Sequence, residues 1–235
     1  MRYNINMFSF IDRTKLVIVL LILILALIPL NQVFGNDFRI AGMGSLFLFA
    51  SDNGPASDPP ALLPTAGASF AWSIIGPLRI ELTADVYFTN YEYNPLGYPM
   101  ACNPENRYSF VIGFITAVQA TGAFSVGSDI YFRVFGGPAA DFRIVTQAIG
   151  LHPTDIAEAD RQTALITDYF WGEGRWFSPV AGIGMDFPLN ENFLLGFDLR
   201  AWFPIYKLWT NDNTPAIDGW RFGAGLRITP RGSSR

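Results

Sequence analysis

Charged residues recur at every second position in several apolar segments, and these are the side chains whose types and spacing could do chemistry. In the segment 78–88 the even positions are all apolar, whereas Arg79, Glu81, Thr83 and Asp85 occupy odd positions. A β-strand turns alternate side chains to opposite faces, so these polar groups share one face. Because a guanidinium presents a planar fork of donors that matches a carboxylate, the chemistry that this pattern predicts is ion pairing.

The same alternation in the other apolar segments predicts one large set of inward-facing charges. The set comprises six basic and five acidic residues, namely Arg39, Arg79, Glu81, Asp85, Asp129, Arg133, Asp186, Asp198, Arg200, Arg221 and Arg227. A buried charge needs a partner, and these charges nearly cancel. The basic members are all arginines, which suits forked pairing better than lysine would. We therefore predict a structural charge network inside the fold.

Catalytic and metal chemistry is disfavoured by the same inventory. His152 is the only histidine and lies beside Pro153 in a predicted loop, so no rigid strand would present it and Asp155 to a serine. Cys102 is the only cysteine, and one histidine with one cysteine cannot build a conventional metal site. We predict no catalytic residues, no metal ligands and no cofactor, with Cys102 as a free surface thiol or, alternatively, in an intermolecular disulfide.

The composition indicates a chain that faces lipid. Half of its 235 residues are hydrophobic, 15% are aromatic and only 15% are charged, whereas a soluble domain has about 25% charged residues. The formal net charge of −4 disfavours a nucleic-acid partner, which would require a basic face. After residue 35 no uninterrupted apolar stretch reaches the length of a membrane-spanning helix.

The alternating segments predict an all-β fold of eight strands. These cover residues 38–50, 66–75, 78–88, 107–118, 124–135, 176–187, 193–203 and 219–229. Predicted connections after the second, fourth and sixth strands are short and the others long, which is the pattern of outer-membrane barrels. We predict an eight-stranded antiparallel up-and-down transmembrane β-barrel with short periplasmic turns, long extracellular loops and both termini in the periplasm. A soluble barrel is disfavoured, because the large aromatic faces would overfill so narrow an interior.

Two parts of this prediction keep alternatives open. Residues 119–123 are interpreted as the short turn between the fourth and fifth strands. In the long gap 136–174, segments 142–149 and 163–171 could extend the fifth and sixth strands as a hairpin. Thr154 could instead cap a short helix through Ala164, or the two segments could make a ten-stranded barrel. Eight strands fit the alternation of short and long connections better than ten.

Residues 1–35 have the pattern of a secretory signal peptide. Arg2, Arg13 and Lys15 precede an apolar core at 16–30, and cleavage is predicted before Asn36. The apolar core is short for a membrane span, although a retained signal anchor is the alternative. The predicted mature barrel is 36–235, in the outer membrane of a diderm bacterium.

The last predicted strand carries the most specific local motif. Arg221-x-Gly223-x-x-Leu226-x-Ile228 resembles the signal by which barrels are recognised by the assembly machinery, although the usual terminal aromatic residue is missing. As a whole the chain resembles small outer-membrane barrels of the OmpA transmembrane-domain and OmpW-like type.

This resemblance implies a set of partners and two functions. The partners would be outer-membrane lipids and lipopolysaccharide or an equivalent, the barrel-assembly machinery, and an extracellular ligand at loops 51–65, 90–106, 136–174 and 205–218. OmpA-like barrels are structural and display loops, and the charged lumen favours this non-enzymatic function. The alternative is an OmpW-like narrow porin or conduit for small hydrophobic solutes.

Overall fold

Alternating apolar and polar residues form long antiparallel strands in the computed structural model. It describes residues 38–49, 61–93, 99–101, 108–127, 129–206, 208 and 220–231. The predicted signal peptide, its cleavage site and Cys102 lie outside the described residues. The strands are β1 (Phe38–Phe49), β2 (Ala61–Ile75), β3 (Leu78–Tyr93), β4 (Pro99–Ala101), β5 (Ser109–Val126), β6 (Ile130–Gly137), β7 (Ala139–Gln147), β8 (Val180–Pro188), β9 (Phe193–Trp202) and β10 (Arg221–Pro230).

The strands close into an antiparallel barrel. Around the wall the order is β1, β2, β3, β5, β6, β8, β9 and β10, and β10 pairs back to β1 through Gly42 and Ile228. Strand β7 continues β6 past Pro138 in one register against β5, while β4 pairs only with the end of β3. With β6 and β7 counted as one wall strand, the described residues form eight strands, as predicted, and not ten.

The two faces of the wall have opposite character. Outward side chains such as Leu82, Val118 and Leu226 are exposed, whereas inward ones such as Glu81 and Asp198 are buried. This is the inverse of a soluble protein and fits a wall surrounded by hydrocarbon, where a closed barrel also pairs every backbone amide within the span. In β3, β8, β9 and β10 the buried and exposed positions follow the predicted alternation.

Short and long connections alternate at the two ends of the barrel. One end carries the tight turns at 76–77, 127–129 and 189–192, and Gly76 and Gly127 adopt there the positive φ angles that favour glycine. The long connections lie at the opposite end, as predicted. Strand β2 begins at Ala61 and β3 continues to Tyr93, so the predicted loops 51–65 and 90–106 are shorter than expected.

The turn predicted at residues 119–123 is wrong. Strand β5 runs through this segment, with Gln119 and Thr121 buried on the inner face, and the chain reverses at 127–129. Val126 pairs with Ile130 across that turn, so even positions face outward both before and after it. The alternation therefore passes unbroken through the true turn and conceals it.

The long segment 136–174 combines two of the predicted alternatives. Strand β7 does extend the fifth strand, but residues 163–171 belong to a helix, α1 (Ile156–Trp171), flanked by 3-10 turns at Pro153–Asp155 and Gly172–Gly174. Its N-cap is Asp155 and it continues well past Ala164, so the predicted cap at Thr154 is wrong. Buried residues spaced three and four apart give the helix one inward stripe, which strand periodicity does not capture. Within the described residues, no helix is long and apolar enough to cross a membrane.

We expect Leu82→Arg to destabilise the folded barrel by about 2–4 kcal/mol, because it places a cation on the lipid-facing wall. Leu189→Arg is the matched control, since Leu189 is equally apolar and exposed but lies in the turn at 189–192, outside the strands of the wall. Urea titrations in lipid vesicles would measure the free energy of unfolding of both variants. Equal stability of the two variants would contradict the assignment of the faces.

Candidate functional site

The interior of the barrel begins, at the short-turn end, with a group of ion pairs that we call the lower cluster: Glu81, Arg133, Asp186, Asp198 and Arg227. Arg133 donates through Nη2 to Asp186 Oδ1 at 3.0 Å and to Asp198 Oδ1 at 2.5 Å, and its Nε lies 2.8 Å from Asp186 Oδ2. Arg227 on β10 reaches across β1 and β2 to Glu81 on β3, with Nη1 and Oε1 2.5 Å apart, and lies 3.6 Å from Asp186. Five strands therefore contribute charges to one network.

Arg200 extends this network towards the middle of the lumen. Its Nη1 lies 2.9 Å from Asp85 Oδ2 on β3, and its Nη2 lies 3.2 Å from Asp198 Oδ2 and 2.9 Å from Met43 Sδ. The Thr65 hydroxyl donates to the other oxygen of Asp85 at 3.5 Å. Arg200, Asp85 and Asp198 are all at least 95% buried, so these charges depend on one another rather than on solvent.

Above Arg200 lies an apolar plug that we call the aromatic layer, formed by Phe47, Tyr87 and Trp202. The rings of Phe47 and Trp202 have centroids 4.7 Å apart, and all three side chains are at most 2% exposed. Further buried side chains complete this core: Leu63, Ile115, Ala117, Ala139 and Val180. Gly113 faces the Tyr87 ring so closely that a Cβ there would overlap it, which requires a glycine at this position. The layer thus brings buried side chains of β1, β2, β3, β5, β7, β8 and β9 into one apolar cluster.

A second group of charges, the upper cluster, lies beyond the aromatic layer and centres on Asp141. Tyr87 Oη donates to Asp141 at 3.0 Å, Arg143 Nε at 2.7 Å, and Arg221 Nη1 at 2.6 Å. The Arg143 guanidinium also stacks 3.9 Å from the centre of the Phe170 ring of α1. Asp141 and Arg143 were missed in the sequence, although they continue the odd-position alternation beyond Pro138.

Helix α1 packs against the inner faces of β3 and β5 at the long-loop end of this interior. Its buried Ile166 and Phe170 pack against Tyr91 and Val111 on the inner faces of β3 and β5. The Phe170 and Tyr91 rings meet edge to face at 5.3 Å, and the hydroxyls of Ser109 and Thr163 are 3.0 Å apart. The helix therefore adds a fourth level of packing above the two clusters and the aromatic layer.

Most of the predicted lumen residues face the interior, but Asp129 does not. Asp129 lies exposed in the turn at 127–129 and pairs with Arg231 at 3.2 Å, because β6 begins only at Ile130. Arg39 and Arg79 face inward at the short-turn end, where they form no ion pair with another described residue.

The paired charges of the lumen balance one for one. Five arginines, Arg133, Arg143, Arg200, Arg221 and Arg227, accompany five carboxylates, Glu81, Asp85, Asp141, Asp186 and Asp198. An eight-stranded interior is only wide enough for side chains to fill it. Chemically, this arrangement can hold the walls together and obstruct passage.

The residues considered for catalysis lie at the surface. His152 caps the 3-10 turn Pro153–Asp155, and its Nδ1 is 2.9 Å from Thr154 Oγ1. In the part of the chain that the structure describes, no three His, Cys, Asp or Glu side chains are grouped so as to hold a metal ion.

The four residues of the predicted assembly motif all lie on β10, the strand that closes the barrel. Arg221 and Gly223 face the lumen, whereas Leu226 and Ile228 are exposed on the outer wall. The motif thus has the alternating placement of any wall strand, and its recognition by assembly machinery stays a prediction.

The fold defines a small transmembrane β-barrel. No family model matches the chain, and no curated protein matches it. Among solved structures it is similar to Neisserial surface protein A, with 12% identity, a TM-score of 0.48 and coverage of 84% of this chain and 98% of that chain. It is also similar to the outer membrane protein OprG of Pseudomonas aeruginosa, with 9% identity, a TM-score of 0.46 and coverage of 83% and 93%.

A third similar structure is the attachment invasion locus protein Ail of Yersinia pestis, with 8% identity, a TM-score of 0.43 and coverage of 82% of this chain and 95% of that chain. Likeness at this level carries no inference about the activity of the present chain.

We expect Asp198→Ala to cost about 3–5 kcal/mol of folding free energy, because it leaves Arg133 and Arg200 buried without their shared carboxylate. Glu158→Ala on the surface of α1 is the control. Hydrogen bonds from Arg161 lower the pKa of Glu158 to about 2, but both side chains are exposed and such pairs contribute little. Denaturant titration in vesicles would compare the two, and equal midpoints would contradict a stabilising network.

Proposed function

We propose that this chain is a non-enzymatic barrel of the bacterial outer membrane, which acts as a closed scaffold and presents its long loops to the exterior. The observation that carries the proposal is the filled lumen. The lower cluster, the aromatic layer and the upper cluster follow one another along the interior, and each contains side chains from both sides of the barrel. A scaffold needs such a rigid interior, whereas a pore needs a free path.

The shape of the long-loop end supports a surface role. Strands β3, β5 and β7 rise on one side of the barrel and carry α1 on their inner face. Binding residues are commonly found on loops held by a rigid scaffold. The lipid-facing wall and the assembly motif support outer-membrane lipids, lipopolysaccharide and the assembly machinery as partners, and the exterior ligand would contact the loops.

A conduit for small hydrophobic solutes is the competing function. It would require both the aromatic layer and the lower cluster to open, since each crosses the lumen between the two ends. Separating Arg200 from Asp85 inside the barrel would leave two buried charges unpaired, which is costly.

In planar bilayers we expect the purified wild-type barrel to show no stable single-channel openings, because its lumen is filled. The contradicting outcome is a set of stable openings that disappear in Gly184→Ala, since a Cβ at Gly184 would overlap Asp198 and Arg133 inside the lumen. Gly44→Ala is the matched control, because Gly44 faces outward with nothing near its Cβ position. Openings that both variants retain would also exclude a closed scaffold.

The proposed orientation can be tested on intact cells. An epitope inserted after Gly150, in the turn that follows β7, should be labelled from outside, whereas one inserted after Asn190 should be labelled only after permeabilisation. Fractionation and N-terminal sequencing of the same cells should recover the chain in the outer membrane, beginning at Asn36. Inverted labelling, or recovery in the inner membrane with residues 1–35 intact, would contradict this orientation and location.

A further inference from the structure

Two arginines remain once the lumen charges have been paired. Arg39 on β1 and Arg79 on β3 both lie at inward-facing positions near the short-turn end. The five carboxylates of the lumen are engaged by the five other arginines, and within the described residues neither Arg39 nor Arg79 forms an ion pair. Among the described residues, this end of the lumen therefore carries two positive charges without a paired carboxylate.

The strand register brings these two side chains towards each other. Strand β2 lies between them, with Ala71 paired to Arg39 and Ser73 paired to Arg79. Two strand spacings and an offset of two residues along the strands separate their backbones by about 12 Å. The intervening inward residues are Ala71 and Ser73, whose short side chains leave space for the two long ones. Arg79 also lies close enough to interact with the like charges of Arg39 and Arg227 and with the opposite charges of Asp186 and Glu81.

The lower cluster lies next to these two arginines, on the side towards the middle of the lumen. Glu81 follows Arg79 on the same face of β3 and is held by Arg227 and by the Thr121 hydroxyl at 3.3 Å. Beside it, Asp186 is held by Arg133. The half-buried Arg79 has its Nε–H shielded from solvent without a hydrogen-bond partner in the described chain. Arg39 and Arg79 therefore lie next to the lower cluster, and one Arg79 donor has no partner in the described chain.

We propose that Arg39 and Arg79 bind a soluble oxyanion, such as a phosphate or carboxylate, that enters from the compartment at the short-turn end. Guanidinium groups match oxyanions through paired, charge-assisted hydrogen bonds. One bound anion would relieve the repulsion between the two like charges, which is stronger between half-buried groups than in open water. The lower cluster prevents the anion from continuing through the barrel.

Isothermal titration of the mature chain with inorganic phosphate, in maltoside micelles at constant ionic strength, tests this site. We expect saturable binding of one phosphate per barrel, weakened at least tenfold in Arg39→Gln and in Arg79→Gln. Arg79→Lys should lose part of the affinity, because it keeps the charge but not the fork. Arg231→Gln is the matched control, since Arg231 lies at the same end but pairs with Asp129 outside the lumen.

Three results would overturn the proposal. The first is that the wild type shows no saturable binding. The second is that Arg231→Gln loses as much affinity as Arg79→Gln while both variants keep the gel mobility of a folded barrel. Doping the micelles with phosphatidylglycerol could raise the apparent Kd for phosphate, which would identify a lipid headgroup as the occupant instead of a soluble anion. Unchanged affinity in doped micelles supports the soluble source.

Discussion

Pairing of buried guanidinium groups is the constraint on which the rest of this barrel depends. Hydrocarbon outside the wall forces polar side chains inward, and an eight-stranded interior leaves little water to solvate them. Each arginine of the paired network therefore requires a carboxylate, and Asp198 serves both Arg133 and Arg200. The inward glycines follow from the same requirement, since a Cβ at Gly184 or Gly196 would overlap the carboxylates of Asp198 or Asp186. The inward charges thus depend on closure of the wall, and the placement of the glycines depends on the space that these charges need.

The alternation of side chains predicts the wall well, because its period of two depends only on backbone geometry and on the difference between lipid and lumen. It predicts the faces of β3, β8, β9 and β10 residue by residue. It does not locate a turn that preserves parity, which is why the reversal at 127–129 was placed at 119–123 and Asp129 was assigned to the lumen. Turn position there depends on the φ angle of Gly127, and Gly122 offered an equally plausible glycine in the sequence.

The upper half of the interior was less predictable for two physical reasons. The fifth strand was predicted to end at residue 135, but the Pro138 carbonyl accepts from Val118 at 3.1 Å, so the ladder loses one bond at the proline and keeps its register. Asp141 and Arg143 therefore belong to the lumen. Helix α1 has a period that the strand pattern cannot reveal, and its contact with the barrel depends on tertiary packing of Ile166 and Phe170. The pairing partners of each arginine likewise depend on which strands face each other across the closed barrel.

The lower cluster, the aromatic layer and the upper cluster lie one after another between the two ends of the barrel. At the long-loop end, the upper cluster ties Arg221 of β10 to Asp141 of β7, and Arg143 joins that pair to Phe170 of α1. The helix is thereby fixed to the wall by charge as well as by apolar contact, which gives the exposed surface a rigid base. At the short-turn end, the carboxylates of the lower cluster are paired with Arg133, Arg200 and Arg227, and the half-buried Arg39 and Arg79 form no ion pair with a described residue. Moving a charge past the aromatic layer would break paired ions on both sides, which is the physical reason for proposing a scaffold instead of a conduit.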